Sequence, residues 1–445
     1  MPNRAFYSAL ARSILAGETA LEPIVARARS TLGRNWRWLR PMARRFLLAF
    51  SSEQRPRHKA VISFLQADEG LRSAFHHYGT QVRTANWLRA PDHMQPVHAA
   101  RRWQIPAIET VGELASWLQI TPNELEWFAN LKRRRADAGR DGHSGPLSHY
   151  HYRILAKDGG SVRLIEAPKR KLKGIQAKIL SEVLEAIPVH AAVHGFRRGH
   201  SIKTFAAPHV GQRVVLRMDL HDFFPSLSGA RVQAVFRTAG YPEPVAHMLG
   251  CLCTNAAPRS VFARTDSSLD RLAMIEAGHI YERPHLTQGA PTSPALANIC
   301  AYRVDCRLTG LAKAAGAVYT RYADDLAFSG GEAFEHCVER FAHHAAAILL
   351  EEGFRVHYRK TRIMRRGVRQ YLAGLVVNQH INVPRADVDR LKATLTNCVR
   401  FGPESQNREG HPAFRMHLDG RVGFVEMVTP ARGARLREIF EQIQW

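Results

Sequence analysis

The stretch Val318-Tyr319-Thr320-Arg321-Tyr322-Ala323-Asp324-Asp325-Leu326-Ala327-Phe328-Ser329 constrains this chain more than any other. Two β-rich runs flank adjacent carboxylates, a pattern that predicts a hairpin with both acids at its turn. Like charges so placed repel unless a cation lies between them, and oxygen donors select a hard cation, magnesium or manganese. Such ions serve phosphoryl transfer. Alone, an Asp-Asp pair means little, because turn chemistry by itself favours Asp.

A third acid gives the pair its context. Arg213-Val214-Val215-Leu216-Arg217-Met218-Asp219 reads as a buried strand ending in a carboxylate. Leu220-His221-Asp222-Phe223-Phe224-Pro225-Ser226 follows, with a helix expected from Pro225 to Ala239. As a helix cap Asp219 would compete with Asp222 and Ser226, which stand nearer that start, so it is the candidate third ligand. Successive strand side chains face opposite ways, so Asp325 joins Asp324 at one ion only if the turn twists them together.

Asp219 to Ser226, Gln288-Gly289-Ala290-Pro291-Thr292-Ser293-Pro294 with Asn298, and Tyr322 to Ser329 together resemble the palm motifs of reverse transcriptases, in wording nearest to the bacterial retron-type enzymes. His194-Gly195-Phe196, Gly199 and Ser201-Ile202 are similar to that family's second motif. Arg163, Pro168, Leu172-Lys173 and Ile175-Gln176 are similar to its first, and the likeness spans residues 111–378 in consistent order.

The resemblance implies an α+β right-hand polymerase of fingers, palm and thumb, with a mixed βαββαβ palm and a helical N-terminal extension. It implies an RNA-directed DNA polymerase of retron type that uses two Mg2+ ions, Mn2+ being the alternative. Asp219, the Leu220 carbonyl, Asp324 and Asp325 would hold them. Lys157 and Arg163 would grip the triphosphate, Phe224 would be the steric gate under the sugar, Gln288 and Gly289 would shape the nucleotide pocket, and Lys360 would protonate pyrophosphate.

Three departures stand out: Thr287 replaces the usual Pro before the Gln, Phe205-Ala206-Ala207-Pro208-His209 replaces Asn-Ala-x-x-His, and Leu372-Ala373-Gly374 replaces Val-Thr-Gly. The last two elements are associated with recognising the cognate RNA, so His209 is kept as an RNA contact. Implied partners are a structured noncoding RNA template, its DNA product, deoxynucleoside triphosphates, and an effector or toxin protein in antiphage defence. Competing readings are another defence-associated or abortive-infection reverse transcriptase, including a template-independent one, and a catalytically silent RNA-binding scaffold, against which three intact acids argue.

Charge agrees with a polyanionic partner. Across 445 residues, 63 Lys and Arg face 39 Asp and Glu, a formal charge of +24. No apolar run approaches the roughly 20 residues that span a bilayer. Glu18 and Glu22 near the start do not suit a secretory signal, so no membrane partner and a cytoplasmic location are expected. Cys251 and Cys253 are too closely spaced for a zinc knuckle, and the six cysteines read as reduced thiols.

Three regions are expected: a basic helical extension over 1–110, fingers and palm over 111–378, and a thumb or C-terminal RNA-binding segment over 379–445. In the first, Arg34, Arg37 and Arg40 interleave with Trp36 and Trp38 in a helical run from Ala26 to Arg45. That mixture fits either single-stranded RNA bound by phosphate contact and base stacking, or a helix whose Trp side chains pack inward. Thr121-Pro122-Asn123-Glu124 is a capping box, Lys132 to Gly145 a polar linker, and residues 254–285, with Arg259, Arg264, Asp266 and Asp270, a long connection. Tyr152 to Leu155 and Val162 to Glu166 predict a hairpin, and the third region opens with a helix over Arg385 to Val399.

Overall fold

The computed structural model describes residues 4–50, 56, 58–86, 93–129, 149–157, 161–263 and 271–445. The stretch from Lys132 to Gly145 and the residues Arg264, Asp266 and Asp270 lie outside the described residues. In chain order the strands are β1 (Tyr150–Ala156), β2 (Val162–Pro168), β3 (Val214–His221), β4 (Thr254–Asn255), β5 (His285–Leu286) and β6 (Ala317–Tyr322). They continue with β7 (Asp325–Gly330), β8 (Arg355–Val356), β9 (Arg362–Arg365), β10 (Tyr371–Leu372) and β11 (Leu375–Val376). The chain divides into two compact units, one of Met1–Ile187 with Ser228–Thr292, the other of Pro188–Leu227 with Ser293–Trp445.

The first unit opens with helices Arg4–Leu15, Leu21–Leu32, Leu39–Ala49, His58–Ala67 and Glu69–Tyr78 around a core of their own, which includes Leu10, Ile14, Trp36, Leu39, Phe46 and Leu65. The expected continuous run from Ala26 to Arg45 is broken because Gly33, at φ 69°, ends one helix in the left-handed region. Trp36 and Trp38 are only 6% and 9% exposed, so the base-stacking reading is corrected: the rings belong to the core. Buried Arg27 donates to the carbonyls of Ser13, Ile14 and Glu18, satisfying the end of the first helix. Asp68 caps the fifth helix by accepting from the Leu71 N–H and binds Arg45 through both oxygens.

Further along this unit, Thr121 and Glu124 form the capping box of helix Pro122–Phe128. β1 and β2 pair antiparallel from Tyr150↔Pro168 to Ala156↔Val162, and Lys157 N–H donating to Ser161 O closes the hairpin. Burial alternates along β2, and Val162 and Leu164 pack on Phe262, Met274, Ala277 and Tyr281. The long connection is thus partly a prop for the hairpin. Its helix Arg271–Tyr281 supplies most of that apolar face, and Arg259 pairs with Glu282.

In the second unit an antiparallel sheet is ordered β6-β7-β3-β8, with β9 also on β3. β3 and β7 are buried almost throughout, as expected of central strands. No helix begins at Pro225. Asp222 takes φ 48°, residues 222–226 form turns, and the chain passes back into the first unit at Ser228, which caps a helix over Gly229–Ala239. Helices Arg385–Phe401, Phe414–Val428 and Pro430–Glu441 bury Leu391, Leu395, Val422, Val425 and Leu436 in a core shared with β3, β7 and the β10–β11 hairpin. Arg437 bridges Asp419 and Glu426 between the last two helices, and Arg432 donates to Asn382. Among the described residues no helix is long and apolar enough to cross a membrane, and Cys251, Cys253, Cys300 and Cys398 are buried.

Candidate active site

β3 and β7 are in register so that Asp219 lies directly across from Asp325. β6 turns into β7 through Ala323 and Asp324, with Tyr322 paired to Asp325. Ala323 sits at φ 54°, where a Cβ is strained, and the tight turn brings the Asp324 carbonyl within 3.0 Å of the Leu220 N–H, which donates to it. Three acids distant in sequence thereby occupy one end of the sheet.

Their surroundings are half-dry and carry opposed charges. Burial lifts the Asp324 carboxyl above its ordinary value; its own backbone N–H opposes this, Asp325 and Asp219 push it further up, and Lys360 pulls it down. Burial also lifts Asp325, against the pull of Arg217, with Asp219 raising it and Lys360 lowering it. Arg217 donates from Nε to Asp325 Oδ1 at 2.8 Å, and Lys360 Nζ stands 3.4 Å from Asp219 Oδ1. Arg217 was not singled out from sequence, although its place two residues before Asp219 on the same strand face was a usable signal.

Phe223 and Phe224 divide as their neighbours dictate. Phe223 is buried against Phe354, whereas half-buried Phe224 stands 6.0 Å from the ring of Phe196. Lys157, Arg163, Gln288 and Gly289 belong to the other unit. There Arg163 is exposed on β2, opposite Leu155. The Gln288 carbonyl accepts from Glu166 N–H at 2.8 Å. Gly289, at φ 126°, lies so close that a Cβ would meet Glu166 O at 3.0 Å, which accounts for glycine there. Buried Glu166 is bound by His285 Nε2 at 2.7 Å and Asn255 Nδ2 at 2.9 Å, which stiffens this edge.

His209 is not an RNA contact. It is fully buried; Thr320 Oγ1 donates to Phe205 O and so accepts from His209 Nε2 at 2.7 Å, leaving Nδ1 to accept from Ser329 Oγ at 2.6 Å. Burial lowers its pKa to about 3, and it is a neutral core residue joining β6 and β7 to the 207–209 turn. Arg34, Arg37 and Arg40 are exposed; Arg34 lies over Trp36 and Arg40 pairs with Glu22.

The reverse transcriptase (RNA-dependent DNA polymerase) family matches residues 155–383. The chain is 39% identical over 336 residues to the retron Mx65 reverse transcriptase of Myxococcus xanthus, covering 75% of this chain and 72% of that relative. It is 38% identical over 349 residues to the retron Mx162 reverse transcriptase of the same organism, covering 75% and 67%. With the retron Ec86 reverse transcriptase of Escherichia coli it shares 30% identity over 279 residues, covering 61% and 78%.

Proposed function

Because this chain belongs to the retron reverse transcriptases, and is therefore an RNA-directed DNA polymerase, we propose that Asp219, Asp324 and Asp325 are the acids of its polymerisation site. The observation that carries this reading is the register placing Asp219 across from Asp325, with Asp324 at the adjoining turn.

Reverse transcriptases use divalent metal ions, and the donor set here suits a hard one: carboxylate oxygens, the Leu220 carbonyl, and no sulfur or imidazole ligand. Among the described residues no three His, Cys, Asp or Glu side chains already close around one point, and Arg217 occupies an oxygen of Asp325. Burial lifts the Asp324 and Asp325 carboxyls and the charge of Asp219 lifts both further, a penalty that a divalent charge would relieve. Bound there, two Mg2+ or Mn2+ ions supply charge neutralisation and activation of the attacking hydroxyl.

In the proposed reaction the primer 3′-hydroxyl loses its proton to solvent water and its oxygen bonds to the α-phosphorus of a deoxynucleoside triphosphate. The bond to the β-phosphate oxygen breaks, and pyrophosphate leaves. Lys360 Nζ, exposed yet within reach of Asp219, supplies a proton to that leaving group. Phe224, flanked by Phe196, acts as the gate against a 2′-hydroxyl. Arg163, with a planar fork, and Lys157, with a point charge, hold the triphosphate, and Gln288 and Gly289 border the base and sugar. Residues 111–378 then act as fingers and palm and 379–445 as thumb. Arg34 and Arg37, in the connection between helices Leu21–Leu32 and Leu39–Ala49, and Arg40 at the start of the latter contact RNA phosphates, without stacking.

The template in this reading is a structured noncoding RNA copied in the cytoplasm for antiphage defence alongside an effector protein. A formal charge of +24 supports a nucleic-acid-rich compartment. Asp324→Asn tests the site: deoxynucleotide incorporation on a primed RNA template should vanish while RNA binding persists. Equal incorporation by variant and wild type would refute it.

A further inference from the structure

One buried guanidinium lies beneath the acid-bearing turn, and it plays no part in the mechanism above. Arg321, the last residue but one of β6, is 0% exposed. Its Nε donates to Asp305 Oδ1 at 2.8 Å and its Nη2 to Asp305 Oδ2 at 2.7 Å, a two-pronged pair in which both charges are buried. Asp305 also accepts from Tyr319 Oη at 2.8 Å. The Nη1 of Arg321 reaches toward the turn, donating to Asn298 Oδ1 and to Ala323 O, each at 3.1 Å.

Asn298 passes the restraint on. Its oxygen is held by Arg321, so its amide Nδ2 is aimed at Gly195 O, to which it donates at 2.9 Å. Gly195 in turn rests on the turn itself, since a Cβ there would meet Ala323 N at 2.6 Å and Tyr322 C at 3.2 Å. Residues 192–194 run beside Arg321, which donates from its N–H to Ala192 O and accepts at its own carbonyl from His194 N–H, both at 2.8 Å. The strained Ala323 peptide is therefore gripped from two sides, by a guanidinium on its carbonyl and by Gly195 against its nitrogen. The next carbonyl, that of Asp324, is pinned by Leu220 N–H.

We propose that Arg321, locked by Asp305 and Asn298, is a positioning residue that holds Ala323 in the left-handed conformation needed to aim Asp324 at the cations. The inference rests on the reading of Asp324 as a metal-holding acid. Asp305 neutralises the Arg321 charge, so the network acts through geometry. Lysine cannot replace it, because an ammonium lacks the planar fork that serves a carboxylate, an amide oxygen and a peptide carbonyl together.

The experiment uses the full chain with Arg321→Lys, Asn298→Ala and Asp324→Asn. Asn298→Ala removes a neutral group and leaves the ion pair intact, so it retains a folded protein if Arg321→Lys does not. Single-nucleotide incorporation gives kcat and KM, and electron paramagnetic resonance of free Mn2+ gives the affinity for that ion alone. Asn298→Ala should lower kcat by on the order of 100-fold, the cost of misplacing a reacting group by about 1 Å. It should weaken Mn2+ binding while leaving the nucleotide KM and RNA affinity near wild type. Wild-type kcat and Mn2+ affinity in Asn298→Ala, with both lost in Asp324→Asn, would overturn the positioning role and leave the acid site standing. If Asp324→Asn itself keeps both, the acid-site reading fails first.

Discussion

Removing the Asp324 charge should stabilise the metal-free protein while destroying its activity. The carboxyl of Asp324 is raised by burial and then by Asp325 and Asp219, opposed by its own backbone N–H and by the Lys360 ammonium. At a separation of about 5 Å two unit charges repel by about 0.8 kcal/mol in water and about 3 kcal/mol at an effective dielectric of 20. Two like neighbours against one exposed ammonium leave a net penalty of about 1–3 kcal/mol, which Asn removes without changing shape. At pH 7.5 in EDTA, Asp324→Asn should melt higher than wild type by about 2–4 °C for each kcal/mol.

The pH dependence carries a sign. A carboxyl whose folded pKa lies above its unfolded value favours the fold fully below the unfolded pKa, and that support is lost as pH rises through the folded pKa. The gap between variant and wild type should therefore open upward from the ordinary Asp value of 3.8 and close below it. Saturating Mg2+ should reverse the order, because an ion at a hundred times its dissociation constant adds about 2.7 kcal/mol to the protein that binds it. A variant less stable than wild type in EDTA, with no reversal in Mg2+, would refute the electrostatic reasoning.

Other expectations follow from single residues. His209→Leu should leave RNA affinity unchanged; its urea midpoint should lose the acid sensitivity that wild type shows. A histidine held near pKa 3 costs the folded state about 1.4 kcal/mol per pH unit once pH falls below the unfolded value of about 6.5. Ala373 at φ 45° precedes Gly374 at φ 89° in the β10–β11 turn, so Ala373→Gly should raise stability by about 1 kcal/mol in a denaturant melt.

What was legible in the sequence was local. The alternation and apolar runs around Asp219 and Asp324 reported strands because each residue's face is fixed by its neighbours in the chain, and the Thr121 capping box needed only four residues. His209 was misread because its partners lie 111 and 120 positions away, and a polar residue's burial is decided by contacts of that kind. Trp36 and Trp38 carried both a stacking and a packing reading until the neighbouring helices closed over them. Arg321 looked like an ordinary cation in a β-rich run. Its burial depends on Asp305 and Asn298, which belong to two other helices.

The central claim is that Asp219 and the 324–325 pair close on the same cations. Fe2+ substituted for Mg2+ and driven with ascorbate and peroxide cleaves backbone beside the ion it occupies. Cuts should fall both at 219–222 and at 322–325, be suppressed by Mg2+, and disappear together in Asp219→Asn. Cleavage confined to one of the two segments, or unchanged in Asp219→Asn, would contradict it.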